Sequence, residues 1–289
     1  MSGLQKKPIK SKDDLKIYPP KGGIKYNNNN TVGYDILGGP YNHTGIIATT
    51  MSGKTNLLGN IIPRIIGKES RIHLFSHTSE GDEIWEDLAK RMEKREIPVI
   101  RYDSMADLPT LIQTLRQELL AKKAQEAEEE ALKELAEQQR QRKKKWVEQI
   151  SDSPDDLVRI KIKQEKPEKK PHYPREIIVF DDISREMFFN PHFAETLKES
   201  RHYKACVFCS VQNPGDISPQ ARIQLKNIFL FKGLGPDKLD QVYKSISLWV
   251  PQKKFEEIYR QATEKPYSFL YIDLVKQEFR ECLENKIII

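Results

Sequence analysis

A short loop that ends in a lysine and a threonine is the first segment of this chain that could carry chemistry. Residues 48–55 read Ala-Thr-Thr-Met-Ser-Gly-Lys-Thr, the spacing of a phosphate-binding loop, except that Ala48 replaces the usual first glycine. In such loops, backbone N–H groups and the start of the next helix attract phosphate. The pattern predicts a nucleotide-binding segment made of Thr49, Thr50, Met51, Ser52, Gly53, Lys54 and Thr55.

Each part of this loop has an expected role. Lys54 would reach the β and γ phosphates, and the hydroxyl of Thr55 would ligate Mg²⁺. At the position of Ala48, glycine adopts backbone angles that a residue with a Cβ reaches only with strain, so we expect strain there. The context favours the motif, because the apolar pair Ile46 and Ile47 precedes it and a helical apolar pattern follows.

A second candidate segment is the apolar run Ile177 to Phe180, which ends in Asp181 and Asp182. A buried strand does not easily hold two unneutralised charges, so the pair should lie at the edge of the sheet where ligands bind. We expect Asp181 to hold Mg²⁺ through water, and Asp182 to orient or deprotonate the attacking water. The alternative is that the two carboxylates only cap the next turn or helix.

A third strand, Ala205 to Val211, ends in Gln212. A glutamine at that tip could hydrogen-bond the γ-phosphate or the attacking water and so sense which nucleotide is bound. The alternative is that Gln212 only anchors the turn over residues 213–216.

Apolar segments with the lengths of strands alternate with helical apolar patterns along most of the chain. This alternation predicts a parallel, doubly wound sheet of the α/β class. The expected strands lie near Ile46–Ile47, Ile72–Phe75, Val99–Ile100, Ile177–Phe180, Ala205–Val211, Asn227–Phe231 and Tyr267–Leu274.

Composition sets broad limits on what the protein does. The chain has 289 residues and 38% hydrophobic content, enough for a sizeable core, and its net charge of +6 permits binding to a polyanion without demonstrating it. No apolar run approaches the ~18 residues of a membrane-spanning helix. The amino terminus lacks the apolar stretch of a secretion signal, so we expect a protein that is not secreted and stays in a reducing compartment.

Charge and turn residues divide the chain. Residues 1–40 are rich in lysine, glycine, asparagine and proline and are interpreted as an irregular basic arm. Residues 121–172 are interpreted as an insertion, a charged helix followed by a flexible return. The core would then comprise residues 41–120 and 173–289.

Two pairs of residues are assigned to the core and not to a site. Cys206 and Cys209 lie three residues apart in a strand, which sends their side chains to opposite faces and argues against a shared zinc ion. Phe188 and Phe189 could line a DNA channel, but adjacent aromatic residues after a core strand more often pack inward.

Several segments, taken in order, resemble a known family. They are ATTMSGKT, IIVFDD, ESRHYKACVFCSVQ, SPQARIQLKNIFLF and PYSFLYIDL. The chain resembles the genome-packaging ATPases of large double-stranded DNA viruses, the poxvirus-type branch of the FtsK/HerA P-loop superfamily. The resemblance covers residues 40–120 and 174–275.

The resemblance implies a RecA-like Mg²⁺-dependent ATPase core that forms a homo-oligomeric ring and drives double-stranded DNA into a capsid. Lys54 and Thr55 would be Walker A residues, Asp181 and Asp182 the Walker B pair, and Gln212 the sensor. Many relatives carry Asp-Glu at the second motif, so Asp182 has the shorter side chain. Ring motors also use an arginine from the neighbouring subunit, for which the candidates are Arg201 and Arg222.

The same resemblance implies capsid or vertex proteins as partners, and a location in the host-cell cytoplasm, a viral factory or the virion. Two alternatives stay open. One is a cellular or plasmid DNA pump or helicase of the same superfamily. The other is a non-catalytic nucleotide-binding protein whose long charged helix binds a partner.

Overall fold

The structure, a computed structural model, describes residues 25–78, 81–150 and 171–288, and the side chains of all of these except 140–150. Its centre is a single mixed sheet built from segments rich in β-branched and aromatic residues. The described strands are β1 (His43–Ile47), β2 (Arg71–Phe75), β3 (Val99–Tyr102), β4 (Glu176–Asp181), β5 (Ala205–Val211), β6 (Leu225–Phe231), β7 (Phe269–Asp273), β8 (Glu278–Glu281) and β9 (Asn285–Ile287).

Helices connect the strands and cover both faces of the sheet. The described helices are α1 (Tyr34–Leu37), α2 (Lys54–Ile65), α3 (Glu83–Glu93), α4 (Leu108–Ile150), α5 (Ser184–Phe189), α6 (Pro191–Glu199), α7 (Pro219–Arg222), α8 (Pro236–Ser245) and α9 (Gln252–Ala262). Single 3₁₀ turns lie at Met105–Asp107, Ser200–Tyr203 and Pro214–Asp216.

The strand order across the sheet is β3-β2-β4-β5-β1-β6-β7-β8-β9. The strands from β3 to β6 in this order run parallel, and β7, β8 and β9 extend the sheet with antiparallel pairs. The predicted mostly parallel α/β sheet flanked by helices is therefore confirmed. Because parallel strands share one direction, the residues that follow β1, β4 and β5 meet at the same edge.

The last part of the sheet differs from the sequence prediction. The strand expected from Tyr267 to Leu274 is shorter, because Tyr267 lies in a turn before β7. The antiparallel strands β8 and β9 were not predicted. In β8 only Phe279 is buried, and β9 has no buried residue, so neither has the apolar pattern that marks a strand.

Two apolar layers lie on opposite faces of the sheet. One packs under α1, α2 and α3, and the other under α5, α6, α8, α9 and the first turns of α4. Cys206 belongs to the first layer and Cys209 to the second, as the strand spacing predicts. Both thiols are buried, and burial raises the pKa of Cys209 to about 12.

Helix α4 begins in the apolar core and continues into solvent. Its first turns bury Leu108, Leu111 and Leu115, whereas nearly all side chains from 121 to 139 are exposed. Most of the return predicted to follow this helix, and residues 1–24 of the predicted arm, lie outside the described residues. Among the helices described, none has both the length and the apolar character needed to cross a membrane.

Phe188 and Phe189 do not pack inward as the sequence predicted. Their exposed fractions are 45% and 73%, and the two rings contact each other edge to face. They lie on α5, a helix of only six residues that directs Met187 toward the core. Met187 is the buried residue of α5, and the two aromatic residues that follow it remain outside the core.

Candidate functional site

The loop that joins β1 to α2 is held in an unusual backbone conformation. Met51 and Gly53 have φ angles of 59° and 98°, in the left-handed region, and the Ser52 hydroxyl donates to the Thr49 carbonyl at 2.6 Å. Ala48 is buried, its N–H donates to the Val211 carbonyl, and it is not among the residues with positive φ. The expectation of backbone strain at Ala48 was therefore wrong, because Met51 and Gly53 adopt the left-handed angles instead.

Helix α2 begins at Lys54, directly after this loop. The first amides of a helix have no partner within it, and the helix dipole favours an anion there. The helix is fixed in place because its apolar face packs into the core through Leu57, Leu58 and Ile61. Its start therefore points unpaired N–H groups at the edge of the sheet.

The Lys54 side chain lies beneath the loop and is only 6% exposed. Its ammonium group donates to the Ala48 carbonyl at 3.4 Å and lies 3.5 Å from Oδ1 of Asp182. Lys54 thus connects the start of α2 to the residue that follows β4.

Asp181 is the last residue of β4 and is only 2% exposed. Its Oδ2 accepts hydrogen bonds from the Thr55 hydroxyl at 3.1 Å and from the Trp85 indole N–H at 3.3 Å. Its Oδ1 has no hydrogen-bond partner among the described residues. Burial raises the pKa of Asp181 and repulsion from Asp182 adds to this, while Ser210, Thr55 and Lys54 act in the opposite direction.

Asp182 is more exposed and has a left-handed backbone, with φ of 54°. The next helix, α5, has Ile183 at its N-cap and no side-chain cap hydrogen bond. The alternative in which the two acids only cap that helix was therefore wrong.

Gln212 follows β5 and is exposed beside Asp182, where both residues line an open cavity of about 520 Å³. The turn after β5 is closed without the Gln212 side chain, because the Asn213 N–H donates to the Asp216 carboxylate at 3.1 Å. The alternative role of Gln212 as the anchor of this turn is therefore not supported. Its side chain shares this cavity with Asp182.

Neither candidate arginine lies at this edge of the sheet. Arg201 precedes β5, and Arg222 lies three residues before β6, so both are near the amino ends of these strands. Arg201 is exposed. The Nε of Arg222 is buried with no hydrogen-bond partner among the described residues, and burial lowers the pKa of this guanidinium group. The structure thus brings Thr55, Asp181, Lys54 and Asp182 together and leaves both arginines away from them.

Trp85 is a site residue that the sequence did not reveal. It belongs to the apolar stripe of α3, and its N–H reaches Asp181 because α2 and α3 pack closely. Gly59 permits that approach, since a Cβ there would lie 2.9 Å from Ile84. The stripe predicted the helix face, but nothing in it indicated that the indole would meet a carboxylate.

Tyr267 is a second such residue, in the turn before β7. Its ring lies against the loop that joins β1 to α2, since a Cβ on Gly53 would be 3.6 Å from Cδ1 of Tyr267. The run of apolar residues around it predicted a strand, whereas its φ of 61° places it in a turn.

The donor set at Asp181 fits a magnesium ion. A Thr55 hydroxyl and a carboxylate with an unpaired oxygen are hard oxygen ligands, which Mg²⁺ prefers. In the part of the chain that the structure describes, no group of three His, Cys, Asp or Glu residues could hold a metal ion. A magnesium ion here would complete its shell with phosphate and water oxygens, as Mg²⁺ commonly does at phosphate sites.

Comparison with known proteins gives a fold relationship. No family model matches the chain. The crystal structure of B204, the DNA-packaging ATPase from Sulfolobus turreted icosahedral virus, is similar with a TM-score of 0.51 at 18% identity, covering 83% of this chain and 96% of that one. At this identity the likeness shows a shared fold.

Two further matches are weaker. The cytoplasmic domain of the type VII secretion ATPase EccC of Thermomonospora curvata has a TM-score of 0.43 at 16% identity, covering 81% of this chain and 24% of that one. Uncharacterized protein 075L of Invertebrate iridescent virus 6 is 25% identical over 114 residues, 39% of this chain. That match spans 44% of the viral protein's length.

Proposed function

We propose that this chain is a Mg²⁺-dependent ATPase that translocates double-stranded DNA and packages a viral genome into its capsid. The observation that carries the proposal is the meeting of two distant segments. The Thr55 hydroxyl lies 3.1 Å from Asp181, and the Lys54 ammonium lies 3.5 Å from Asp182, both at the start of α2. A hydroxyl, an ammonium group and two carboxylates at a helix start form a site for a metal-bound triphosphate.

The residues of the loop bind and orient the phosphates. The amides that begin α2 would hold the phosphate oxygens, and Lys54 would reach the β and γ phosphates. Thr55 and Asp181 would hold Mg²⁺, which supplies charge neutralisation and orients the phosphates when bound. Trp85 keeps the Asp181 carboxylate in position through its indole N–H.

Asp182 and Gln212 would position the attacking water. Both line the open cavity at the end of β4 and β5, where water has access. The Asp182 carboxylate is paired with Lys54 in the structure. When Lys54 turns to a phosphate, Asp182 becomes free to accept a proton from water, directly or through one bridging water. Phosphate binding and activation of the base are in this way coupled through one lysine.

The motor part of the proposal is supported by the shared fold with B204, a viral DNA-packaging ATPase, and by the family resemblance of the motifs. We place the chain in the poxvirus-type branch of the FtsK/HerA superfamily, with a RecA-like core formed by residues 41–120 and 173–289. The exposed half of α4 belongs to an insertion, 121–172, that contacts the capsid, nucleic acid or a neighbouring subunit. The protein acts in the host-cell cytoplasm or viral factory.

Hydrolysis of ATP, with and without double-stranded DNA and Mg²⁺, tests the proposal. We expect DNA to stimulate hydrolysis, and Lys54→Ala to reduce it about 100-fold or more, because a phosphate-stabilising charge is lost. Lys68→Ala, at an exposed lysine beyond the other end of α2, is the matched control and should keep full activity. A wild-type protein that binds ATP without hydrolysing it would favour the non-catalytic alternative instead.

The ring proposal requires an arginine from a neighbouring subunit, and we propose Arg222 over Arg201 because its Nε is buried and unpaired among the described residues. If Arg222 acts between subunits, Arg222→Ala and Lys54→Ala should each be inactive alone. Mixing them should restore part of the activity, since some sites then combine an intact Lys54 with an intact Arg222. No restoration with Arg222→Ala, but restoration with Arg201→Ala, would assign the role to Arg201.

A further inference from the structure

Tyr267 combines a fixed backbone with an exposed aromatic ring. Its side chain is 73% exposed. The turn that carries it is held by the Ser268 N–H and hydroxyl, which both donate to the Lys265 carbonyl, at 3.3 and 2.7 Å. Lys232, after β6, donates to the Glu264 carbonyl at 2.6 Å and ties the turn to the loop that follows β6. The ring is therefore presented from a constrained position.

The ring stands at the phosphate-binding loop. A Cβ on Gly53 would lie 3.6 Å from the Tyr267 ring and 3.8 Å from that of Phe231, so both aromatic residues border the start of α2. Phe231 is buried against Phe269, with ring centroids 5.1 Å apart, whereas Tyr267 stacks on no other ring among the described residues. One face of an aromatic ring is thus left open beside the loop.

The order of the strands indicates which way a bound nucleotide would run across the edge of the sheet. Asp182 and Gln212 follow β4 and β5, on one side of β1, and Lys54 points toward them. Phe231 and Tyr267 lie at β6 and β7, on the other side of β1. A nucleotide whose terminal phosphate lies between Lys54 and Asp182 therefore extends its nucleoside toward Tyr267.

We propose that Tyr267 is the stacking platform for the base of the bound nucleotide. The inference rests on the proposed function, because it assumes that residues 48–55 hold the phosphates. Aromatic side chains bind nucleobases through their π faces, and this interaction strengthens binding by about 5-fold to 100-fold for each base. The ligand that this site selects is a nucleoside triphosphate with a large flat base, a purine, rather than a bare polyphosphate.

Calorimetric titration of the full chain with ATP, supplied as a non-hydrolysable analogue, and with inorganic triphosphate, each with Mg²⁺, tests the proposal. The variants are Tyr267→Ala, Tyr267→Phe and, as a matched control, Phe189→Ala, whose ring has the same exposed fraction of 73%. We expect Tyr267→Ala to weaken ATP binding about 5-fold or more without changing the affinity for triphosphate. Tyr267→Phe and Phe189→Ala should bind both ligands as the wild type does.

Two results would overturn the base platform while leaving the proposed function intact. One is an ATP affinity of Tyr267→Ala within twofold of the wild type. The other is an equal loss of affinity for ATP and for triphosphate, which would mean that the ring supports the loop and not the base. A wild-type chain that binds neither ligand would instead refute the proposed nucleotide site, and the platform with it. Because Tyr267 is exposed, an unchanged thermal unfolding midpoint is expected for every variant.

Discussion

The two ends of β4 carry buried carboxylates with opposite surroundings. Glu176, at its first residue, is 1% exposed and accepts hydrogen bonds from Arg71 at 2.7 Å and from His73 at 3.0 Å. Arg175 adds a third contact at 3.3 Å. Asp181, at its last residue, is equally buried but receives hydrogen bonds only from a hydroxyl and an indole, and one of its oxygens has no partner among the described residues.

The pKa values of the two groups differ in direction. Burial alone would raise the pKa of Glu176, but the hydrogen bonds from His73 and Arg71 hold it below its ordinary value of 4.5. Burial raises the pKa of Asp181 above its ordinary value of 3.8, and its partners do not compensate. Glu176 is paired with cationic side chains at one end of β4, whereas the ionised form of Asp181, at the other end, would be favoured by a bound cation.

Replacing Glu176 should give the largest loss of stability. In Glu176→Gln, Arg71 and His73 lose the buried carboxylate that they share, while Arg71 keeps its ion pair with Glu118, so we expect a loss of about 2–3 kcal/mol. Denaturant unfolding would measure the loss. Glu118→Gln, which removes a more exposed partner of Arg71, is the control and should cost about 1 kcal/mol or less. Equal losses in the two variants would show that burial does not decide how much each carboxylate contributes to the free energy of unfolding.

Replacing Asp181 should affect activity and not stability. Asp181→Asn removes a charge without a compensating cation, so we expect the free energy of unfolding without divalent ions to stay the same or rise. If Asp181 holds Mg²⁺ as proposed, hydrolysis of ATP should fall about 100-fold in this variant, because a metal ligand is lost. A variant that is strongly destabilised but still active would contradict the assignment of Asp181 to the site rather than to the stability of the fold.

Trp85→Phe should have a smaller effect that is specific to the metal. The variant loses the indole N–H that orients Asp181, together with part of a buried ring, so the Mg²⁺ concentration for half-maximal hydrolysis should rise about 10-fold. A titration with Mg²⁺ at fixed ATP would measure this shift. The control is Trp249→Phe, at a ring that packs on Phe279 away from the acids, and it should leave the Mg²⁺ requirement unchanged.

The pH dependence of stability should separate the two carboxylates. The folded-state pKa of Glu176 is lowered, so its stabilising effect is present above pH 4.5 and is lost as the pH falls through the folded-state pKa. The folded-state pKa of Asp181 is raised, so its ionisation lowers stability as the pH rises from 3.8 through the folded-state pKa. Unfolding experiments from about pH 3 to pH 8 without divalent ions should therefore show the cost of Glu176→Gln shrinking in acid. The advantage of Asp181→Asn should grow as the pH rises.

The sequence predicts the site as far as its residues lie within local motifs. The loop before α2, the acids after β4 and Gln212 after β5 each follow an apolar strand, and parallel strands bring these ends together. Contacts between segments far apart in the chain could not be predicted in this way. Trp85 meets Asp181, 96 positions away, only because α3 packs closely on α2.

The fold departs from the sequence prediction where the apolar pattern is short. Residues 278–287 include strands of four and three residues with a single buried side chain, Phe279, so no alternation indicated them. Tyr267 looked like the start of a strand because it continues an aromatic run, but its position is set by the turn that Ser268 closes onto Lys265. Helix α4 runs through a long stretch of strong helix formers, a local pattern that depends on no distant partner.

The most direct test of the central claim is a crystal structure of the chain with Mg²⁺ and a non-hydrolysable ATP analogue. We predict phosphate oxygens within hydrogen-bond distance of the amides that begin α2, and a metal ion at the Thr55 hydroxyl and the carboxylate of Asp181. Lys54 should have moved from Asp182 to the phosphates. A nucleotide bound elsewhere, or an Asp181 carboxylate that remains away from both metal and phosphate, would contradict the account.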